Sequence, residues 1–324
     1  MHSTPREANV LDRIPAHARI AIVRLRSMGD CVLTTPAVEL LNRARPDLKI
    51  GVVVEDRFAA VFGGNPAVSA ILPPAYGEIV RWRPALCLNL HGGTRSRMLT
   101  LASLAPIRAG FAHHRGSAIY NVKIPRAQEI FGSERVFNTA EHLASAMFYL
   151  GVPIGEVPRA KLFAEPLSNE RSYAVIHATA AMSYKTWSPA GFLVVADYLA
   201  QELGLEPVFI GAADDDLTVF GRYRVVAGAP LGHLKSLLAG ASLFVGNDSG
   251  PAHIACALGV PVVVLFGRLE HEIVWAPWRA VAAKTLASPS GISGIKVDAV
   301  LAAIEELRRF NGLADYTGRR TENS

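Results

Sequence analysis

The stretch VGNDSGPAHIACALGVPVVVLFG, Val245 to Gly267, sets an acid, a hydroxyl, a bare backbone position and an imidazole between two apolar runs. Asp248, Ser249, Gly250 and His253 fall where a strand should end and a helix begin. Free amides at a helix N-terminus attract anions, and the helix dipole adds to that attraction. Gly250 lets a phosphate approach the backbone, and Pro251 suits a first helical position. The plainer alternative is that Asp248 or Ser249 only caps the helix. His253, one turn further in, is a residue that a cap does not require.

Four other segments carry residues of the same kind. HATAAMSYKTWSP (His177–Pro189) offers the hydroxyls of Thr179 and Ser183 and the cation Lys185. A lysine there is a good partner for a diphosphate, or it is a solvated surface charge; Trp187 could stack on a ring or fill a core. In RLRSMGDCVLTTP (Arg24–Pro36), Asp30 could take a proton from a hydroxyl or cap the following helix. FIGAADDD (Phe209–Asp216) brings acids that could accept hydrogen bonds from ribose, or simply open a helix. NLHGGTRSR and GFAHHRG carry Arg95, Arg97, His113 and Arg115, which could meet an anionic acceptor or remain solvated loop charges. The dinucleotide glycine fingerprint, the P-loop and the G-x-S-x-G elbow are all absent. No spaced acid pair or histidine cluster suggests a metal, and the run Asp214–Asp216 is a weak basis for one.

Each of these segments needs a strand before it and a helix after it. IAIVRL (Ile20–Leu25), KIGVVVED, ALCLNLHG, YAVIHAT, EPVFIGA, SLFVGND and VPVVVLFG are short apolar runs alternating with helical patterns. That alternation predicts an α/β fold with parallel sheets covered by helices on both faces. Thr35-Pro36 reads as a helix start, as does Ser188-Pro189. Helices are predicted over Thr139–Gly151 and Val297–Phe310. Ligands of open α/β sheets bind at the carboxyl ends of strands, and the residues above all fall there.

The chain has 324 residues, enough for about two domains on a soft prior of roughly 150 residues each. The proline- and charge-rich stretch at 153–172 marks a linker. The expected organisation is a loose tail at 1–19, a first Rossmann-like domain at 20–160, a second at 161–312, and a tail at 313–324. With 50% hydrophobic and 19% charged residues the chain is of ordinary globular composition. A net charge of +5 does not call for nucleic acid; it suits an anionic small molecule or an acidic membrane face, or serves solubility alone. Cys31, Cys87 and Cys256 have neither metal nor redox spacing and read as buried apolar residues in a reducing cytoplasm. The N-terminus lacks the apolar core of a secretory signal, and no run of 18 apolar residues suggests a membrane span.

IAIVRLRSMGDCVLTTPAVELLNRARPD resembles the opening of glycosyltransferase family 9, the ADP-heptose:lipopolysaccharide heptosyltransferases. GNDSGPAHIACALGVPVVVLFG resembles that family's signature in the second domain, and SYKTWSP its lysine-x-tryptophan loop. The similarity keeps order and spacing over roughly residues 20 to 310. It implies a GT-B architecture, two Rossmann-like domains facing across a cleft, with a last helix that can pack on the first domain. It implies inverting, metal-independent transfer of heptose from ADP-heptose to a lipid A–Kdo acceptor, without a cofactor. The acceptor would be a lipid-linked anionic glycan reached from the cytoplasm, with peripheral contact to the inner membrane. By the resemblance, Asp30 matches the catalytic base. Thr179, Ser183, Lys185, Asp215, Asp248, Ser249, Gly250 and His253 fall at the donor site, and Arg95, Arg97, His113 and Arg115 are assigned to the acceptor. The sequence departs from the family pattern at Arg268, where proline is usual, in HATAAMS, and in the absence of cysteines before the last helix. These departures leave another nucleotide-sugar or another acceptor as the alternative reading, and a non-catalytic nucleotide-binding module behind it.

Overall fold

A computed structural model describes residues 9–167 and 171–310. The chain divides into two units at Phe163/Ala164. That division lies inside the proline-rich 153–172 segment.

In the first unit the strands are β1 (Arg19–Val23), β2 (Lys49–Val53), β3 (Ala70–Leu72), β4 (Leu86–Asn89), β5 (Ile107–Phe111) and β6 (Val122–Ile124). They form one parallel sheet in the order β3-β2-β1-β4-β5-β6. The second unit repeats the plan with β7 (Tyr173–His177), β8 (Glu206–Gly211), β9 (Arg224–Ala227), β10 (Leu243–Asn247), β11 (Val262–Phe266) and β12 (Ala283–Ala287). Its order is β12-β11-β10-β7-β8-β9, again all parallel. The central strands β4, β7, β10 and β11 are buried along their whole length, as a parallel sheet covered on both faces requires. The chain therefore has the α/β, GT-B class of fold, built from two Rossmann-like units. In each sheet the strand order reverses once, between β1 and β4 in the first and between β7 and β10 in the second. Such a reversal opens a crevice at the carboxyl ends of the two strands.

Three local readings of the sequence are corrected. The first long helix is Met28–Ala44, so it starts seven residues before Thr35 and carries Pro36 inside it. Ser27 and Asp30 form its capping box, and this signal outcompetes Thr35-Pro36. The proline ring cannot donate to the Val32 carbonyl, and Thr35 Oγ1 donates to it instead at 2.8 Å. Second, residues 9–18 are packed rather than loose. Leu11 and Ile14 are buried, Asn9 Nδ2 donates to the Gly151 carbonyl at 3.2 Å, and Arg45 donates to the Leu11 and Ile14 carbonyls. Residues 1–8 and the tail 313–324 lie outside the described residues. Third, the helix Val297–Phe310 packs on its own unit: Val300, Ala303, Ile304 and Leu307 join the core formed with β7, β10, β11 and the helix Pro189–Gln201. That last-mentioned helix starts as predicted, with Ser188 accepting from the Gly191 amide and Pro189 at its first position. All three cysteines are buried, and burial pushes the Cys31 and Cys87 thiols up to about 12 and about 11, keeping them protonated. Among the described residues no helix is long and apolar enough to cross a membrane.

Candidate active site

The crevice of the second unit gathers four loops. β7 ends at His177, β8 leads to Asp215, β10 ends at Asn247, and the helix Gly250–Leu258 starts immediately after Ser249. Asn247 ties two of them together: its amide nitrogen donates to the Ala178 carbonyl at 3.0 Å and its oxygen accepts from the Trp187 amide at 3.1 Å. Trp187 is buried and donates to the Ile295 carbonyl, so it serves the core. A Cβ on Gly267 would stand 2.1 Å from the Tyr184 carbonyl oxygen. Only glycine therefore lets the short helical turn Ser183–Lys185 lie against the end of β11.

Within this frame Lys185 Nζ lies 2.6 Å from Asp248 Oδ2 and 5.5 Å from the centre of the Trp275 ring. Asp248 is almost wholly buried, with 6% of its side chain exposed, while Lys185 keeps 22%. A buried carboxylate repels phosphate, so what Asp248 does here is fix the Lys185 ammonium at the mouth of the crevice. Ser249 occupies the N-cap position, yet its hydroxyl makes no capping bond. It instead meets His177 Nδ1 at 2.8 Å.

The direction of that bond follows from the neighbouring ones. Burial pushes His177 down to about 4, so the ring is neutral at pH 7 and carries one N–H. Thr179 has one hydroxyl proton, which it gives to Asp215 Oδ2 at 2.6 Å. Its 3.3 Å contact with His177 Nε2 must then be an acceptance, which places the ring proton on Nε2. Nδ1 is left as an acceptor, and Ser249 donates to it. The chain runs from Ser249 to His177 to Thr179 to Asp215, which also accepts from the Ala212 amide at 2.7 Å. Ser249 has spent its proton. The donors that remain for an anion are Lys185 and the first amides of the helix Gly250–Leu258.

The crevice of the first unit holds Asp30 at the start of its helix, between β1 and β4. Arg24 Nη2 lies 2.7 Å from Asp30 Oδ1, and Arg24 also donates to the Leu90 carbonyl. Ser27 Oγ donates to Asp30 Oδ2 at 3.2 Å. Asp30 thus serves the helix cap, one of its two sequence readings, and keeps 30% of its side chain exposed. Imidazoles crowd the ends of the neighbouring strands. The His113 and His114 rings lie 4.3 Å apart, tilted by 45°, and His142 stacks on the Phe111 ring at 4.3 Å. Burial holds His91 and His113 below the usual histidine range and takes His114 and His142 down to about 4. This is a wall of neutral imidazoles within the field of Arg24. Arg97 packs against Gly116 and donates to Thr94 Oγ1. Arg95 points elsewhere, to the Pro74 carbonyl and Glu55. Arg115 is exposed. Among the described residues no group of three or more histidines, cysteines or acids is placed to hold a metal ion.

The profile of glycosyltransferase family 9 (heptosyltransferase) matches residues 85–290. The chain belongs to glycosyltransferase family 9. It is 28% identical over 294 residues to lipopolysaccharide heptosyltransferase 3 of Escherichia coli, covering 78% of this chain and 84% of that one. Among solved structures, the family 9 glycosyl transferase of Veillonella parvula superposes with a TM-score of 0.80 at 22% identity, over 91% of this chain and 98% of that one. E. coli heptosyltransferase WaaC with ADP superposes with a TM-score of 0.73 at 20% identity, over 89% and 99%. The protein is a family 9 glycosyltransferase, an enzyme.

Of the residues singled out from sequence, the structure of this family 9 enzyme brings Thr179, Lys185, Asp215, Asp248, Ser249 and Gly250 to one crevice. His253 is buried inside the helix that follows. Ser183 is exposed in the turn that carries Lys185. His177, Asn247, Arg24, His91, His114 and His142 were not singled out. His177 and Asn247 stand at strand ends beside residues that were, and the sequence signal for them is that position alone.

Proposed function

We propose that this enzyme transfers a heptose from ADP-heptose to an anionic lipopolysaccharide inner-core acceptor of the lipid A–Kdo type, with inversion at the anomeric carbon. The observation that carries the reading is the pairing of Lys185 with buried Asp248 beside an uncapped helix terminus, at the reversal point of the second sheet. Such a site suits a diphosphate. The Thr179–Asp215 pair lies at the next strand end, where a carboxylate can accept from ribose hydroxyls. The relatives support the donor and acceptor classes by their names, a lipopolysaccharide heptosyltransferase and a heptosyltransferase with ADP.

In this reading Asp30 accepts the proton of an acceptor hydroxyl as its oxygen bonds to the anomeric carbon. The bond from that carbon to the diphosphate breaks, and ADP leaves from the opposite face. Lys185 and the amides after Ser249 stabilise the growing charge on the diphosphate, on the order of 3 kcal/mol for one well-placed donor. Arg24 holds the Asp30 carboxylate in place. Arg97 and the histidines near β5 offer the acceptor's anionic groups a polar surface, which exposed Arg115 extends; Arg95, turned to Pro74 and Glu55, takes no part. The lipid-linked acceptor sets the reaction at the cytoplasmic face of the inner membrane.

Calorimetric titration with ADP-heptose, ADP, UDP- and GDP-sugars and NADH tests the donor. ADP-heptose and ADP are expected to bind, and NADH to give no signal. Lys185→Ala is expected to weaken ADP-heptose by about ten- to a hundredfold, the loss of a charge-assisted bond. Preference for a UDP- or GDP-sugar would replace the donor, and binding to none would return the chain to a non-catalytic module.

A further inference from the structure

β11 brings a further cation to the crevice of the second unit. Across that sheet the strands run in the order β8, β7, β10, β11. Asp215 follows β8, Lys185 follows β7, the helix amides after Ser249 follow β10, and Arg268 follows β11. The Arg268 guanidinium lies 4.7 Å from the centre of the Tyr184 ring, on the same turn as Lys185. His271 meets Tyr184 edge-on at 6.1 Å and Trp275 edge-on at 4.9 Å, and Trp275 is the ring beside Lys185 Nζ. The two cations therefore border one aromatic patch. His271 senses both: burial, then the charges of Lys185 and Arg268, hold it below the usual histidine range against the pull of Asp248 and Glu270. Its Nδ1 is buried without a hydrogen-bond partner. Arg268 itself is poorly matched. Its ion-pair partner Glu270 stands at 3.9 Å, with 54% and 68% of the two side chains exposed, and such a pair is worth little. A guanidinium stacked on a ring keeps its N–H edge free for hydrogen bonds.

We propose that Arg268 is a second cation for the donor and binds its distal phosphate, the one that leaves with the charge of the broken bond. This rests on the diphosphate reading of the crevice given above. Position favours it: with ribose at the end of β8 and the diphosphate between β7 and β10, the far phosphate is the part nearest β11. Charge favours it as well. Asp215 and Asp248 set two acids in the crevice, and Lys185 balances one of them. With Arg268 the side chains there sum to neutrality; without it they oppose an incoming diphosphate. Geometry is the third argument, since the guanidinium fork fits two oxygens of one phosphate. The orphaned His271 Nδ1 lies in the same patch, where a phosphate oxygen would give it a partner. When the bond from the anomeric carbon breaks, its electron pair stays on the phosphate oxygen. A cation at that end therefore gains most in the transition state. Arg268 is one of the chain's departures from the family pattern, so this grip on the donor would be its own.

Calorimetric titration of wild type, Arg268→Gln and Arg268→Lys with AMP and ADP tests it, with the UMP/UDP and GMP/GDP pairs run alongside. Wild type is expected to bind ADP more tightly than AMP. Arg268→Gln is expected to lower ADP affinity about tenfold, the loss of a charge-assisted bond, and to leave AMP affinity and Tm unchanged. Arg268→Lys is expected to recover part of the loss, because an ammonium keeps the charge but not the fork. Turnover with ADP-heptose is expected to fall about a hundredfold in Arg268→Gln. Preference for the uridine or guanosine pair would replace the nucleoside of the donor reading, with Arg268 expected to act on that diphosphate instead. A wild type that favours the diphosphate in no pair would overturn the donor reading and this inference together. A preference that survives in Arg268→Gln would overturn the inference alone. So would an equal loss of mono- and diphosphate, or a loss seen only with the sugar-bearing donor.

Discussion

Asp30 and Asp248 are both carboxylates held by a cation, Arg24 at 2.7 Å and Lys185 at 2.6 Å. Exposure separates their tasks. Asp30 is open to solvent and in the proposed reading meets the acceptor hydroxyl, whereas Asp248 is sealed and in that reading orients Lys185. Both acids were legible in the sequence as polar residues after apolar runs. Their partnerships were not equally so: Arg24 is six residues from Asp30, but Lys185 and Asp248 are 63 apart, and only the sheet brings them together. His177 escaped notice for a related reason, since a histidine ending a strand looks like any other until its neighbours are known. Its proton state gives a prediction. The folded ring titrates at about 4 and the ordinary value is 6.5. Above 6.5 both folded and unfolded rings are neutral; below it the unfolded chain takes the proton first. Stability is therefore expected to fall as pH drops from about 6.5 towards 4, by on the order of 2–3 kcal/mol from this ring. Urea unfolding at stepped pH checks this, and His177→Asn should make the fall shallower while leaving the share of His114 and His142.

At the scale of elements, the alternation of apolar runs with helical patterns revealed both sheets, because a buried parallel strand needs apolar side chains on both faces. What pattern could not decide was where the first helix starts. Two start signals lie seven residues apart, and the choice is made by Arg24 and Ser27 gripping Asp30. Thr35 then repairs the hydrogen bond that Pro36 cannot make, so the second signal is absorbed into the helix. That the loops share a crevice followed from their places at strand ends; how tightly they meet did not, since it depends on close approaches such as that of Gly267 to Tyr184. Gly267→Ala puts a methyl group into that carbonyl and is expected to cost about 1–3 kcal/mol of stability. It should also weaken ADP-heptose by displacing Lys185, where a substitution at an exposed helical site such as Val194→Ala should not. Thermal melts paired with calorimetry read both effects, and unchanged donor affinity in Gly267→Ala would separate the turn from the site.

For the whole molecule, the same plan is used twice. Six parallel strands reverse order at the centre, and chemistry-bearing residues sit at the reversal in each unit. The duplication was readable in outline from length, linker composition and the repeated strand-to-helix pattern. The packed residues 9–18 and the histidine wall were not, because each rests on contacts between segments distant in sequence. The central claim is a division of labour, with donor binding in the second unit and proton acceptance by Asp30 in the first. Asp30→Asn, measured for transfer from ADP-heptose and for ADP-heptose affinity in parallel, tests it most directly. Transfer is expected to fall by about a hundred- to ten-thousandfold while affinity stays at the wild-type value. Transfer at the wild-type rate would contradict the assignment of the base, and loss of donor affinity would contradict the division itself.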